Sequence, residues 1–230
     1  MKPDYEIIDV CHTIHDGMIT YKGLPPPSIS DHLTRERSRE FYAPGTEFHI
    51  GRIEMVANTG TYLDSPFHRY QQGTDLAGLS LYSLANLDGV VIRQDVVAQR
   101  AVEPAAFADL ELEGKAVLFH TGWDVRWRTE AYSDGTHPFI TAEAAELLVA
   151  KGAALVGIDS YNIDNTATGE RPAHSILLAN NIPIVEHLCG LGDLPDSGFR
   201  FFAVPVKVKN FGTFPVRAFG IVSKTVQTEL

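Results

Sequence analysis

Several common protein classes are excluded by what this chain lacks. Two cysteines, Cys11 and Cys189, lie far apart in 230 residues, in no metal-ligand or redox spacing. They make no disulfide framework, so a reducing compartment is expected. Basic residues are outnumbered, 19 against 29 acidic, for a net charge of −10 with no basic block. That balance argues against nucleic acid or an anionic membrane surface as a partner. No apolar run reaches membrane-spanning length, and Met1-Lys2-Pro3-Asp4-Tyr5-Glu6 lacks the basic start and apolar core of a secretory signal. A soluble, cytoplasmic protein is the expectation. Also missing are a Gly-x-Ser-x-Gly elbow, a His-Glu-x-x-His pair and a phosphate-cradling glycine loop; Gly190-Leu191-Gly192, followed by Asp193, is too little for a nucleotide. With no repeat, no linker and no low-complexity tract beyond Pro25-Pro26-Pro27, a single domain over residues 1–230 is expected.

What is present is ordinary globular material, 44% hydrophobic and 21% charged, long enough to bury one substantial core. Tyr5 to Val10 reads as a strand leading into a turn-rich stretch with His12 and His15, which lack a carboxylate or thiol companion and read as structural or solvent-facing. Ser30 to Tyr42 is charge-rich, a solvated face or a loop over a pocket, and Asp31 is placed to cap a brief helix. From Glu47 to Ala57 apolar residues alternate, with the phase broken near Gly51 and Arg52, as in a bulged strand. Leu76 to Leu87 reads as a helical turn, Gly89 to Val96 as a strand and Pro104 as a helix start. Lys115 to Phe119 reads as a buried strand. Thr141 caps a helix to about Lys151 with Gly152 as its stop, and Leu155 to Asp159 is the next strand. Pro172-Ala173-His174 opens a short helix, Pro183 to Glu186 is a short strand, and Phe201 to Lys209 with Val216 to Val222 make a closing pair, where Arg217 is expected to help build the core, pairing with an Asp or Glu being the alternative. Alternating strands and helices indicate a layered α/β domain.

The chemistry concentrates in Asn58-Thr59-Gly60-Thr61-Tyr62-Leu63-Asp64-Ser65-Pro66-Phe67-His68. Gly60 permits a sharp turn, and Pro66 between Asp64 and His68 makes a regular helix across the pair unfavourable. Carboxylate and imidazole are therefore expected to converge through an irregular loop, as metal and proton-transfer sites commonly do.

This stretch resembles the signature of the cyclase family of hydrolases, which includes bacterial kynurenine formamidase and isatin hydrolase and runs His-x-Gly-Thr-His-x-Asp-x-Pro-x-His. Gly60, Thr61, Asp64, Pro66 and His68 match it, whereas Asn58 and Tyr62 stand in place of its first two histidines. The resemblance continues through Thr121-Gly122-Trp123, Pro172-Ala173-His174, Ile182-Pro183-Ile184-Val185-Glu186 and Pro215-Val216-Arg217-Ala218. It implies an α/β fold of the swivelling β/β/α type with a central mixed β-sheet, a homo-oligomer (dimer or tetramer), and hydrolysis of a C–N bond in a small aryl or cyclic amide, a lactone being an alternative substrate.

Carried over by position, the resemblance implies a metal site of Asp64, His68, His174 and Glu186, whose residue types suit one zinc or manganese ion. The family's second ion would need the positions of Asn58 and Tyr62, where an amide and a phenol are poor ligands, and single-metal members use those same positions. Three accounts stay open. In the first, one divalent ion is held by the remaining four residues. Or there is no metal: His68, oriented by Asp64 or Glu186, acts as general base, and Tyr62 or Asn58 stabilises the oxyanion. Or the fold only binds a ligand. Catalytic candidates are thus His68, Asp64, Tyr62 and Glu186, and substrate-binding candidates Asn58 and the pocket-wall residue Trp123.

Overall fold

The computed structural model describes residues 4–95 and 99–224. Met1 to Pro3, and Val96 at the expected end of a strand, lie outside them. One nine-stranded mixed sheet dominates, in the order Tyr5–Asp9, Phe219–Ser223, Ser197–Phe202, Leu87–Arg93, Ala116–His120, Leu155–Ile158, Ile184–Glu186, Tyr62–Asp64, Thr213–Pro215. The four strands from Leu87–Arg93 to Ile184–Glu186 run parallel, and every other pairing is antiparallel. The parallel strands are buried on both faces, which explains their nearly unbroken apolar runs such as Ala116-Val117-Leu118-Phe119.

Alternation along the strands divides the core in two. Val117, Phe119, Val156, Ile158 and Ile184 face the helices Ala142–Ala150 and Pro172–Ala179 through Ala145, Leu148, Ala173 and Leu177. Leu63, Leu118, Leu155, Val185 and Phe201 point to the opposite face. Since Leu63 and Val185 point away, Tyr62, Asp64 and Glu186 point to the helix face. Cross-strand register then sets Tyr62 opposite Glu186 and Asp64 opposite Thr213.

Several local expectations need correction. Asp31 caps nothing: it lies in the strand Ser28–Leu33, which pairs with Ile50–Glu54 as a separate ribbon, and its carboxylate meets His49 Nε2 at 2.7 Å. The brief helix Arg35–Ser38 is capped by Thr34, whose hydroxyl accepts from Arg37 N. The irregularity of the ribbon does lie beside Gly51, which pairs with Asp31, but the extra residue is His32 on the partner strand. The closing strand is Ser197–Phe202, while the alternating stretch after it carries exposed Val204 and Val206 and joins no sheet. Arg217 builds no core and takes the alternative role instead; it is exposed and binds Asp9 at 2.6 and 2.8 Å. The expected helix cap at Thr141, with its hydroxyl accepting from Ala144 N, and the stop at Gly152, at φ +70°, are both present.

Candidate active site

The segment from Asn58 to His68 is more regular than a loop. Gly60 turns the chain at φ +68°, where an added Cβ would lie 2.9 Å from Ile14 Cγ1. Tyr62–Asp64 then forms a strand, and Pro66–Arg69 a single helical turn with proline in its first position. At that position proline loses no hydrogen bond and its fixed φ favours the turn. Asp64 and His68 thus converge across a strand-to-helix junction, which corrects the irregular loop expected from Pro66.

Asp64 is fully buried. Its Oδ1 accepts a short hydrogen bond from the Thr213 hydroxyl, and Thr213 Oγ1 lies 2.7 Å from His68 Nδ1. An ionised carboxylate only accepts, so the single Thr213 proton goes to Asp64 and the Thr213 oxygen accepts from His68 Nδ1–H. That order leaves the His68 Nε2 lone pair free. Thr213 reaches this place because Gly212 precedes it: a Cβ on Gly212 would stand 2.6 Å from the His68 backbone.

A second imidazole is oriented in the same sense. His174 Nδ1 lies 2.6 Å from Asp164 Oδ2, and Asp164 also accepts from the backbone N–H groups of Ala173 and His174 at 2.7 and 3.1 Å. The Nδ1 proton therefore belongs to that bond, and Nε2 faces Asp64 Oδ2 and Glu186 Oε1, each at 3.7 Å. Burial opposes charge on His174, but Glu186, Asp164 and Asp64 outweigh it and push the ring up to about 10. For Asp64 too burial is the largest influence and disfavours ionisation; His68, His174 and Thr213 together overcome it and hold the carboxyl below its ordinary range.

Asp64 Oδ2 is buried without a hydrogen-bond partner. Ligand atoms of Asp64, His68 and His174 all lie within 4.8 Å of one another. Two imidazoles oriented by hydrogen bonds and a buried carboxylate fit a divalent cation, which would displace the second proton of His174. Glu186 adjoins this trio, but its oxygens are already engaged, Oε1 by Ile163 N–H and Oε2 by the Tyr62 hydroxyl, both at 2.7 Å. Burial raises its carboxyl to about 7, with His174 opposing and Asp64 adding to the rise.

The positions where the family has its first two histidines look different. Tyr62 is buried and gives its proton to Glu186 rather than to the cavity. His187 Nε2 lies 3.3 Å from the Tyr62 hydroxyl, and the Tyr132 hydroxyl lies 2.8 Å from His187 Nδ1. With Glu186 accepting, the protons run in one direction, from Tyr132 to His187 to Tyr62 to Glu186. Burial, reinforced by His12, pushes His187 down to about 3.

Above these groups opens a cavity of about 650 Å³ lined in part by Asn58, Tyr62, His68, His174 and Glu186. Trp123 is not among its lining residues. Its indole N–H donates to Tyr132 O at 3.0 Å and Arg126 covers its ring at 4.2 Å, so it buttresses the Tyr132 side of the network. Sequence reasoning missed Asp164, Thr213, His187 and Tyr132. The positions of Asp164 and His187, one in the polar loop 159–164 and one directly after Glu186, were the available signals.

Comparison with known proteins agrees with this geometry. The family model Cyclase, described as "Putative cyclase", matches residues 8–165. The chain belongs to the cyclase family. It is 26% identical over 218 residues to the kynurenine formamidase of Bacillus cytotoxicus, covering 93% of this chain and 96% of that one. To the kynurenine formamidase of Erythrobacter litoralis it is 30% identical over 164 residues, 71% and 73% of the two chains. A solved structure described as a potential metal-dependent hydrolase with cyclase activity is similar with a TM-score of 0.76 at 26% identity, covering 94% of this chain and 98% of that one. Isatin hydrolase A from Labrenzia aggregata shares the fold, with a TM-score of 0.80 at 21% identity and coverage of 96% and 94%. The α/β fold with a central mixed sheet expected from the sequence is the fold of this family.

Proposed function

We propose that the chain hydrolyses the C–N bond of a small aryl or cyclic amide, using one zinc or manganese ion on Asp64, His68 and His174 with Glu186 alongside. The observation that carries this reading is the buried, unpartnered Asp64 Oδ2 facing an imidazole at 3.7 Å. A buried polar atom without a partner costs about 1–3 kcal/mol, more when charged, and a cation offsets that cost. The kynurenine formamidase relatives support the reaction class.

When bound, such an ion polarises the amide carbonyl and makes a water acidic. The protein's part is proton handling. Asp64, through Thr213, keeps the His68 proton on Nδ1, so the Nε2 lone pair would serve as a ligand to the ion here and as the general base toward water only in the metal-free reading below. Water oxygen bonds to the carbonyl carbon, the proton the water sheds passes to the departing nitrogen, and the C–N bond breaks to give a carboxylic acid and an amine. Glu186, held by Ile163 N–H and Tyr62, fixes the cavity floor. Tyr62 is occupied with Glu186 and the Asn58 amide is a poor ligand, so this reading gives the site one ion rather than two.

The Asp64–Thr213–His68 order favours a second reading, general-base hydrolysis without metal. Elemental analysis of protein purified without chelator, with assays on aryl formamides, lactams and lactones, separates them. About one ion per chain, lost in His174→Ala together with turnover, supports the first. No ion, with activity intact in chelator, supports the second. No turnover on any of these substrates contradicts hydrolysis and leaves a ligand-binding member of the family.

We further propose that residues 1–230 act as one unit, since strands from both ends, Tyr5–Asp9 and Phe219–Ser223, pair in one sheet. The same reading makes the protein cytoplasmic and homo-oligomeric, a dimer or tetramer. Among the described residues no helix is long and apolar enough to cross a membrane. The ribbon formed by Ser28–Leu33 and Ile50–Glu54 exposes Ile29, Ile50 and Ile53, and an isolated two-stranded ribbon is marginal in water. Light scattering of Ile50→Lys/Ile53→Lys should show loss of the oligomer; an unchanged mass would exclude the ribbon from the interface.

A further inference from the structure

His137 is a fully buried imidazole that takes no part in the proton handling at His68. It heads the short segment His137-Pro138-Phe139-Ile140, whose strand Phe139–Ile140 pairs in parallel with Ala101–Val102 and leads into the helix capped by Thr141. The same segment lies along the loop 160–164. Three hydrogen bonds strap the two together: Ser160 Oγ donates to Pro138 O at 2.6 Å, Ile140 N to Ile163 O at 2.8 Å, and His137 Nε2 to Asp164 O at 2.9 Å. A carbonyl only accepts, so the His137 proton is on Nε2.

The strapped loop carries two contacts of the site. Ile163 N–H holds Glu186 Oε1, and the Asp164 carboxylate holds His174 Nδ1 together with the N–H groups of Ala173 and His174. Arg171, at the N-cap of the helix Pro172–Ala179, offers no side-chain cap, so Asp164 caps that helix from the loop. Asp164 N donates in turn to Asn162 Oδ1 at 2.9 Å. His137 thus fixes the main chain of the residue whose carboxylate orients His174.

Its second nitrogen marks His137 as more than a space-filler. Nδ1 is buried and meets no hydrogen-bond partner, a cost that an apolar side chain of similar size avoids. Burial, opposed by the bond to Asp164, holds the ring below the usual histidine range, so it is a neutral donor at neutral pH.

We propose that His137 is a positioning residue for the ion site: by fixing Asp164 O it aims the Asp164 carboxylate at His174 Nδ1 and keeps His174 Nε2 turned toward Asp64. The inference rests on the proposed ion for its purpose, but the order His137–Asp164–His174 exists without one, so the two can fail separately.

The test uses the full chain, with zinc alone as probe. His137→Phe keeps a ring beside Tyr161, 5.4 Å away between centroids, and removes the donor; His137→Gln keeps a donor; Leu112→Ala weakens the core outside this loop as a stability control. In calorimetry of chelator-treated protein, His137→Phe should bind zinc about tenfold more weakly than the parent, as expected when an outer-shell partner of a ligand is lost, with His137→Gln within about threefold and Leu112→Ala unchanged. In the metal-free protein, NMR should show His137 protonated on Nε2 and a slowly exchanging His174 Nδ1 proton, whose exchange quickens at least about tenfold in His137→Phe. Should His137→Phe not fold, Ser160→Ala, which frees Pro138 from the same strap, is read in its place with the same directions expected. Zinc affinity and proton exchange that match between His137→Phe and Leu112→Ala overturn the proposal, as does an equal loss in His137→Gln or a parent with His137 protonated on Nδ1. A parent that binds no zinc removes the metal reading, and the His174 proton then decides alone.

Discussion

His174, which lines the cavity, and His187, which lies behind Tyr62, are both buried, and burial drives both toward the neutral ring. One nevertheless ends at about 10 and the other at about 3. The difference is in what faces them. Asp164, Asp64 and Glu186 surround His174, whereas His187 meets the hydroxyls of Tyr132 and Tyr62 and the ring of Trp127. Carboxylates overcome desolvation and hydroxyls do not. The cluster therefore has one half whose ligand atoms turn inward, Asp64, His68 and His174, the last carrying a proton that a bound cation would displace, and one half closed by its own hydrogen bonds, Tyr62, His187 and Tyr132. Only the first has anything to offer a cation.

The largest effect that would break this contrast is on the open half. Asp64→Asn removes the charge that orders Thr213 and His68, and amide hydrolysis should fall by about 10³-fold or more, with the ion lost in elemental analysis. Retained ion and rate would abolish the distinction. On the closed half, Tyr62→Phe deletes the donor to Glu186 and the acceptor for His187. Loss of a buried partner costs about 1–3 kcal/mol, so denaturant unfolding should show a clear loss of stability while the ion stays bound. A sharper version restores ligands: Asn58→His/Tyr62→His should raise bound ion from about one to two per chain, since imidazole replaces poor donors.

Acid and base titration separate the halves further. The folded pKa of His187 lies below the ordinary value of about 6.5, so its contribution is present above pH 6.5 and is lost as pH falls toward 3. The stability deficit of His187→Gln relative to the parent should thus shrink below pH 6.5, by up to about 1.4 kcal/mol per pH unit. His174 is raised instead, so its contribution is present below pH 6.5 and is lost as pH rises toward 10. The deficit of His174→Gln in chelator-treated protein should shrink in that opposite direction. Matching slopes for the two variants would remove the electrostatic half of the comparison. The smallest effect belongs to Trp123→Phe, which loses one hydrogen bond to Tyr132 O: about 1 kcal/mol of stability, and a KM changed less than about twofold.

The central sheet was legible because buried parallel strands must be apolar on both faces, as at Ala116–His120 and Leu155–Ile158. Asp64, His68, His174 and Glu186 could be named from motif order. What was not legible depends on register and folding at a distance. Thr213 becomes the link between Asp64 and His68 only because it pairs opposite Asp64, 149 residues away. Asp164 orients His174 from a loop that sequence reading leaves as a polar exit. Asp31 misled because its capping propensity is local, while its place in a ribbon is decided by the partner strand Ile50–Glu54. Trp123 looked like a pocket wall, yet its hydrogen bond to Tyr132 places it behind the closed half.

The most direct test of the asymmetry is calorimetric titration of chelator-treated protein with zinc or manganese. The account predicts one site per chain, abolished by His174→Ala and kept in Tyr62→Phe. Two sites in the parent chain, or a single site lost in Tyr62→Phe and kept in His174→Ala, would contradict it.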